Sequence, residues 1–272
     1  MNQTDRTTNR LAGKIALITG GGRGIGRATA LELARHGATI VVAARSRPEL
    51  EETANQVQAL GGKAHAYSVD LSDTQATLAL VPQIERQLGT VSILINDAGI
   101  VGPFGPTWTL DPALWEQGLQ VNLVAPFLLV HQTVPHMLAQ KWGRIVNVSS
   151  LASQDPQLRS GPYAASKAGL DTLTRQLGFE LEGTNVSATA IYPGVVDTAM
   201  SAYLSKQEPE NIGQVSQALR TAIAEGKLLT PDIPARLIAA LVLAEDSSLS
   251  GQIINVRSEQ GQKLANTSVD SI

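Results

Sequence analysis

Short runs of apolar residues, many of them β-branched, alternate along this chain with longer stretches in which apolar positions recur at helical spacing. The first run, Ile15-Ala-Leu-Ile-Thr19, reads as a buried strand, and a glycine-rich loop follows it. Residues 24–36 then show helical spacing, stopped by Gly37, because glycine readily takes the left-handed conformation that closes a helix. The same reading predicts strands over 39–43, 63–69, 91–96, 144–148, 186–191 and 252–256. It predicts helices over 48–60, 72–88, 110–139, 163–181 and 234–244, with Pro48 in a first turn, Ser72 as a cap and Pro126 as the point where the longest would break. From Pro193-Gly194 to about Lys227 the chain is polar and reads as irregular. Strands that are apolar on both faces, alternating with helices, predict a parallel sheet covered on both sides. The expected fold is α/β, a doubly wound sheet of about seven strands in three αβα layers. It forms one domain over residues 13–260, between a flexible N-terminal tail at 1–12 and a C-terminal tail at 261–272.

Composition narrows the functions this domain can have. Of 272 residues, 43% are hydrophobic and 17% charged, enough apolar material for one large core and too little charge for a disordered chain. A net charge of −3 gives no electrostatic reason to expect nucleic acid, which asks for a clustered basic face. The absence of cysteine removes disulfides, thiolate nucleophiles and Cys-ligated zinc. His36, His65, His131 and His136 lack the spacing of a helical zinc site, so no metal is expected. The polar first ten residues lack the apolar segment of a signal peptide, and no apolar run approaches the ~18 residues of a membrane span. A soluble, cytoplasmic protein is the expectation.

Candidate chemistry begins at the loop TGGGRGIG, residues 19–26. Glycines between a buried strand and a helix let backbone N–H groups approach a pyrophosphate lying on the positive helix end. A side chain at Gly20 or Gly26 would obstruct the turn or the packing of helix on strand. The position that selects between dinucleotides is the end of the second strand, where an acid would accept a hydrogen bond from a ribose 2′-hydroxyl. Here the strand runs Val-Val-Ala-Ala44 and then Arg45, with no carboxylate. Arg45 and Arg23 would suit a 2′-phosphate, so the cofactor expected is NADP(H), with NAD(H) as the alternative. Otherwise both arginines are solvated surface groups. Hydride chemistry at a carbinol or carbonyl needs a matched proton transfer at oxygen. A phenol with its ordinary pKa near 10 needs a neighbouring cation to act at neutral pH. Tyr163 and Lys167 stand at i and i+4 on a predicted helix, hence on one face. Ser149 and Ser150, ending the fifth strand, are both candidates to hold the substrate oxygen.

TGGGRGIG, NDAG at 96–99, Asn122, IVNVSS ending at Ser150, YAASK at 163–167 and PGVVDT at 193–198 occur in this order. Together they resemble the single-domain branch of the short-chain dehydrogenase/reductase family, over roughly residues 13–256. The resemblance implies a Rossmann-type fold and a catalytic tetrad of Asn122, Ser150, Tyr163 and Lys167. Tyr163 would be the general acid or base. Ser150, thirteen residues before it, would be the oxygen-positioning donor in preference to Ser149. Lys167 would bind the nicotinamide ribose and lower the tyrosine pKa, and Asn122 would hold a water linking Lys167 to solvent. Gly20, Arg23, Gly24, Ile25 and Gly26 would carry the pyrophosphate side. Asp70 with Leu71 would meet the adenine, and Asn96, Ala98 and Gly99 would line the adenosine. Pro193, Gly194, Val196 and Thr198 would close over the nicotinamide. A homotetramer, or alternatively a homodimer, is implied as the assembly.

Two positions depart from the family pattern. Asp97 stands where a second Asn is usual, which puts hydrogen bonding at the sheet centre in question. Arg257-Ser-Glu stands where an aspartate and two glycines are common, which bears on C-terminal packing. Residues 197–227 would form a substrate lid. Its Met200, Tyr203, Leu204 and Ile212, with Leu151, Leu158 and Val195, either line an apolar pocket or pack the lid on the body. Arg159 would meet an anionic substrate or stay solvated. The activity expected is interconversion of a ketone and a secondary alcohol. A 3-oxoacyl-[acyl-carrier-protein] reductase shares every motif, and a non-catalytic NADP-binding sensor is the reading from a different class.

Overall fold

The computed structural model describes residues 9–155, 159–245 and 247–266. Its elements are, in order, β1 (Ile15–Thr19), α1 (Gly24–Arg35), β2 (Thr39–Ala44), α2 (Arg47–Ala59), β3 (Lys63–Ser68), α3 (Thr74–Leu88) and β4 (Val91–Asn96). There follow α4 (Pro112–Leu119), a π-helical turn (Gln120–Val124), α5 (Ala125–Ala139), β5 (Gly143–Val148), α6 (Gly161–Glu180) and β6 (Val186–Tyr192). Then come α7 (Ala199–Ser205), α8 (Pro209–Ile212), α9 (Val215–Ala224), α10 (Asp232–Leu243), β7 (Ile253–Asn255) and α11 (Glu259–Asn266).

The strands form one seven-stranded parallel sheet in the order β3-β2-β1-β4-β5-β6-β7. Alternating side chains divide the apolar content between its two faces, as a pleated strand requires. Ala16, Ile18, Ile40, Val42, Ile93 and Ile95 face the layer holding α1 and α10. Leu17, Val41, Ala43, Leu94 and Ile145 face the layer holding α3, α5 and the end of α6. The three-layer α/β fold read from the sequence is therefore the fold observed. The order reverses between β1 and β4, and the crevice outside the carboxyl ends of these strands is where an open α/β sheet binds ligands.

Local expectations differ from the structure in several places, each with a physical reason. Asp73 caps α3 by accepting from the N–H groups of Gln75 and Ala76, while Ser72 instead donates to Asp70. The long helix breaks at the π turn, and Pro126 sits in the first turn of α5, where a missing N–H costs nothing. The stretch expected to be irregular holds α7, α8 and α9. Among the described residues, parts of both expected tails belong to the body. Leu11 is buried and its N–H donates to the His36 carbonyl, and residues 259–266 form α11 with Gly261 and Ala265 buried. Among the described residues, no helix is long and apolar enough to cross a membrane.

Candidate active site

The glycine loop between β1 and α1 is built so that only glycine fits. Gly20 has φ +70°, and a Cβ there would lie 2.9 Å from the Ala98 nitrogen. A Cβ on Gly26 would lie 2.5 Å from the Gly20 carbonyl oxygen. Helix α1 has no acidic residue in its first turn and no side-chain cap, so its N–H groups and positive end remain available to an anion. This cradle fits a dinucleotide pyrophosphate. Ile25 is partly buried beside it, and Thr198 closes it from the far side, its Cγ2 3.2 Å from where a Gly24 Cβ would stand.

The groups expected to handle the proton lie beside this loop. Lys167 Nζ sits 5.7 Å from the centroid of the Tyr163 ring and donates to the Val148 carbonyl at 2.7 Å. Ser150 lies close enough to the Tyr163 phenol to lower its pKa, while Ser149 is buried and donates to the Lys167 carbonyl. The geometry thus brings Ser150, not Ser149, to the phenol. Burial pushes the Tyr163 pKa up, the Ser150 hydroxyl lowers it, and the nearby Asp97 carboxylate raises it further. Burial pushes Lys167 down to about 8, against the pull of Asp97 and Asp171.

Asn122 lies in the π turn, which turns its side chain toward the loop after β4. Its Oδ1 accepts from Ile100 N–H at 2.9 Å, and its Nδ2 donates to the Ile100 carbonyl and to Ser166. It therefore clamps that loop, and a Cβ on Gly99 would stand 3.4 Å from its Oδ1 and 3.7 Å from Lys167 Nζ. Asn96 is turned into the sheet, donating to Asn147 at 2.9 Å, so its side chain serves the fold. Thr19 accepts from the N–H groups of Asp97 and Ala98, which fixes the loop against β1.

Other expected residues form the rim. Arg45 and Asp70 are exposed, Leu71 is buried beneath them, and two hydrogen bonds from Ser72 hold the Asp70 carboxyl below its usual range. Arg23 is exposed and pairs with Glu49 at 3.3 Å. Sequence reading missed Glu49, because nothing local links residues 23 and 49. From Pro193 the chain passes through Gly194 at φ +74° and reaches Val196, which bridges to Leu229. A Cβ on Gly194 would lie 3.4 Å from Arg257 Nε, which places the departing C-terminal residue beside this loop.

The residues of the expected lid divide between burial and exposure. Leu204, Ile212 and Leu219 are buried together, with Met200, Val215, Val101 and Phe104 packed on them. Leu151, Val195 and Tyr203 stay exposed at 47%, 42% and 47%. Arg159 donates to the Glu210 carbonyl at 3.0 Å, tying the body to the lid, and Leu158 lies outside the described residues. Asp97 is the residue whose environment sequence reading left least anticipated. Its carboxylate is tucked under the glycine loop beside Gly20 and Gly26, and burial raises its pKa to about 7.

The model of the short chain dehydrogenase family matches residues 14–209. A short chain dehydrogenase of Pseudocercospora fijiensis is 36% identical over 88% of this chain and 78% of its own length. The 3-oxoacyl-[acyl-carrier-protein] reductase of Thermotoga maritima is 33% identical over 91% of this chain and 97% of its own. Among solved structures, a metagenomic short-chain oxidoreductase in complex with NADP superposes with a TM-score of 0.75. It is 31% identical, covering 90% of this chain and 98% of that one.

Proposed function

The chain belongs to the short-chain dehydrogenase family, and on that premise we propose that it is an NADP(H)-dependent oxidoreductase interconverting a ketone and a secondary alcohol. The observation that carries this reading is the placement of the Lys167 ammonium 5.7 Å from the Tyr163 ring, with Ser150 near the phenol and the glycine cradle alongside. When bound, the nicotinamide supplies or accepts the hydride. Ser150 donates to the substrate oxygen and orients it. Tyr163 gives its phenolic proton to that oxygen as the carbonyl is reduced and takes it back in the reverse direction. Lys167 stabilises the phenolate left behind. Burial keeps Tyr163 protonated in the free chain, the form that donates. Gly20, Gly24, Ile25 and Gly26 hold the pyrophosphate, Ala98 and Gly99 line the adenosine side, and the segment Pro193, Gly194, Val196 and Thr198 flanks the nicotinamide half. Asn122 acts here first as a clamp on Ile100, and a water relay from it to Lys167 is the role that follows from its place.

NADP is preferred because Arg45 follows β2 with no acid at the strand end, and because the metagenomic relative holds NADP. Glu49 must yield Arg23 for both arginines to serve a 2′-phosphate. Arg45→Ala is expected to raise the KM for NADPH about 10-fold or more while leaving that for NADH nearly unchanged, the loss of one charge-assisted bond. Equal effects on the two would remove the preference. Tyr163→Phe is expected to lower kcat by about 10²- to 10⁴-fold in a screen of ketones with NADPH. Unchanged turnover would sink the mechanism.

A second reading, reduction of 3-oxoacyl thioesters, is favoured by the resemblance to the Thermotoga maritima enzyme along nearly its whole length. Turnover of acetoacetyl thioesters against simple ketones separates the two. We further propose a cytoplasmic homotetramer. Phe127 on α5 and Phe179 on α6, exposed at 50% and 74%, are the apolar contacts that support association. A mass measurement in solution checks it.

A further inference from the structure

Helix α6 carries three ionisable residues at successive turns of one face: Tyr163, Lys167 and Asp171. The first two belong to the site already described, and the third has no role in it. Asp171 is 2% exposed, and its Oδ1 has no hydrogen-bond partner. Its Oδ2 accepts from the Tyr192 hydroxyl at 2.6 Å, and the Ser153 hydroxyl lies 3.0 Å from the same phenol oxygen. With the Tyr192 proton given to the carboxylate, Ser153 is the donor in that second bond. A buried carboxylate with one bonded oxygen is costly unless a cation compensates it. The buried cation on its face, one turn away, is Lys167.

The partners are also placed to transmit the effect. Ser153 ends the 3-10 turn that begins directly after Ser150, and Tyr192 directly precedes Pro193. We propose that Asp171, held by Tyr192 and Ser153, is a positioning residue for Lys167. It keeps the ammonium cationic behind Tyr163 and ties that charge to the two segments that shape the reaction site. The proposal rests on the reading of Tyr163 and Lys167 given above, but its physical core is the charge on Lys167. The groups facing that ammonium are Tyr163 and Asp171 from α6 and Asp97 from the end of β4. Arg175, exposed a further turn along α6, acts on Tyr192. Both carboxylates raise the Lys167 pKa against burial, so removal of one lowers it.

The test reads Lys167 directly. The Cε resonances of the seven lysines are followed against pH in labelled protein, with Lys167→Arg assigning the signal. In Asp171→Asn the Lys167 midpoint is expected to fall by about one pH unit. The alkaline limb of kcat/KM, where the lysine loses its charge, moves down with it. Tyr192→Phe, which preserves packing, moves the midpoint in the same direction by less, and Asp171→Glu restores part of it. An unmoved midpoint in either folded variant overturns the proposal, whatever happens to melting temperature. If Asp171→Asn does not fold, Tyr192→Phe carries the test alone. A shifted midpoint in a protein that turns over no ketone or alcohol upholds the proposal and overturns the catalytic reading instead.

Discussion

Asp97 shows how one side chain can set the chemistry of a neighbourhood. Its carboxyl lies under Gly20 and Gly26, so close that a Cβ on Gly26 would stand 2.8 Å from Oδ2. Its pKa in the folded chain is raised from 3.8 to about 7, mainly by burial and against the pull of Lys167 and Gly26 N–H. A raised carboxyl pKa means that the folded state favours the protonated form. Ionisation therefore subtracts stability as the pH climbs from about 4 to about 7, and the whole penalty is present above that. Asp97→Asn is expected to stabilise the cofactor-free protein at pH 8 by on the order of 2 kcal/mol and to do little near pH 4. Denaturant unfolding at the two pH values checks this, and an equal gain at both would show that burial of the charge is not the cause. The same substitution removes the anion that raises Tyr163, so the acidic limb for alcohol oxidation is expected to move to lower pH. Gly26→Ala is the steric counterpart. The methyl would meet the Gly20 carbonyl at 2.5 Å, and dinucleotide affinity is expected to fall more than 10-fold in a fluorescence titration with NADPH.

At the scale of elements, the sheet was legible because a strand covered on both sides must be apolar throughout, and β1, β4, β5 and β6 are buried along their whole length. Hydrophobic spacing alone placed the helix break near Pro126 rather than at the π turn that holds Asn122. Prolines are conspicuous in a sequence, and Pro126 drew attention to itself, but a proline in a first turn is harmless, and the widened turn arises upstream of it. Helices α7 to α9 escaped notice because their apolar residues are few and bury into a small cluster with Phe104 rather than into the main core. The residues proposed here as a tetrad were picked out from their motifs. Glu49 beside Arg23, Tyr192 on Asp171 and the seat of Asp97 were not, because each depends on contacts between distant segments. Ile212, fully buried in the lid cluster, gives a test at this scale. Ile212→Ala is expected to loosen the lid, raising the KM for the carbonyl substrate several-fold with NADPH affinity unchanged. Faster amide exchange confined to α7 through α9 would accompany it, and exchange spread over β1 and β4 would contradict a local effect.

Across the whole molecule, the ends of the described chain are stitched into the body. Arg10 donates to the Leu243 carbonyl at the end of α10, and Leu11 sits in the core beside α1. Leu11→Ala is expected to cost about 2–4 kcal/mol, a large-to-small change at a buried site, and to lower the melting temperature by several degrees. A shift within error would mean that the N-terminal turn contributes no packing.

The last strand has a similar reach. Gly178 of α6 meets the backbone of Gly251, just ahead of β7, so closely that a Cβ on Gly178 would collide with it. The helix that bears Tyr163 and Lys167 is thus seated by a segment that lies far from it along the chain. Loosening the turn at Gly251 is expected to shift that helix against the sheet while leaving the glycine loop in place, so the two halves of the proposed site can be disturbed separately.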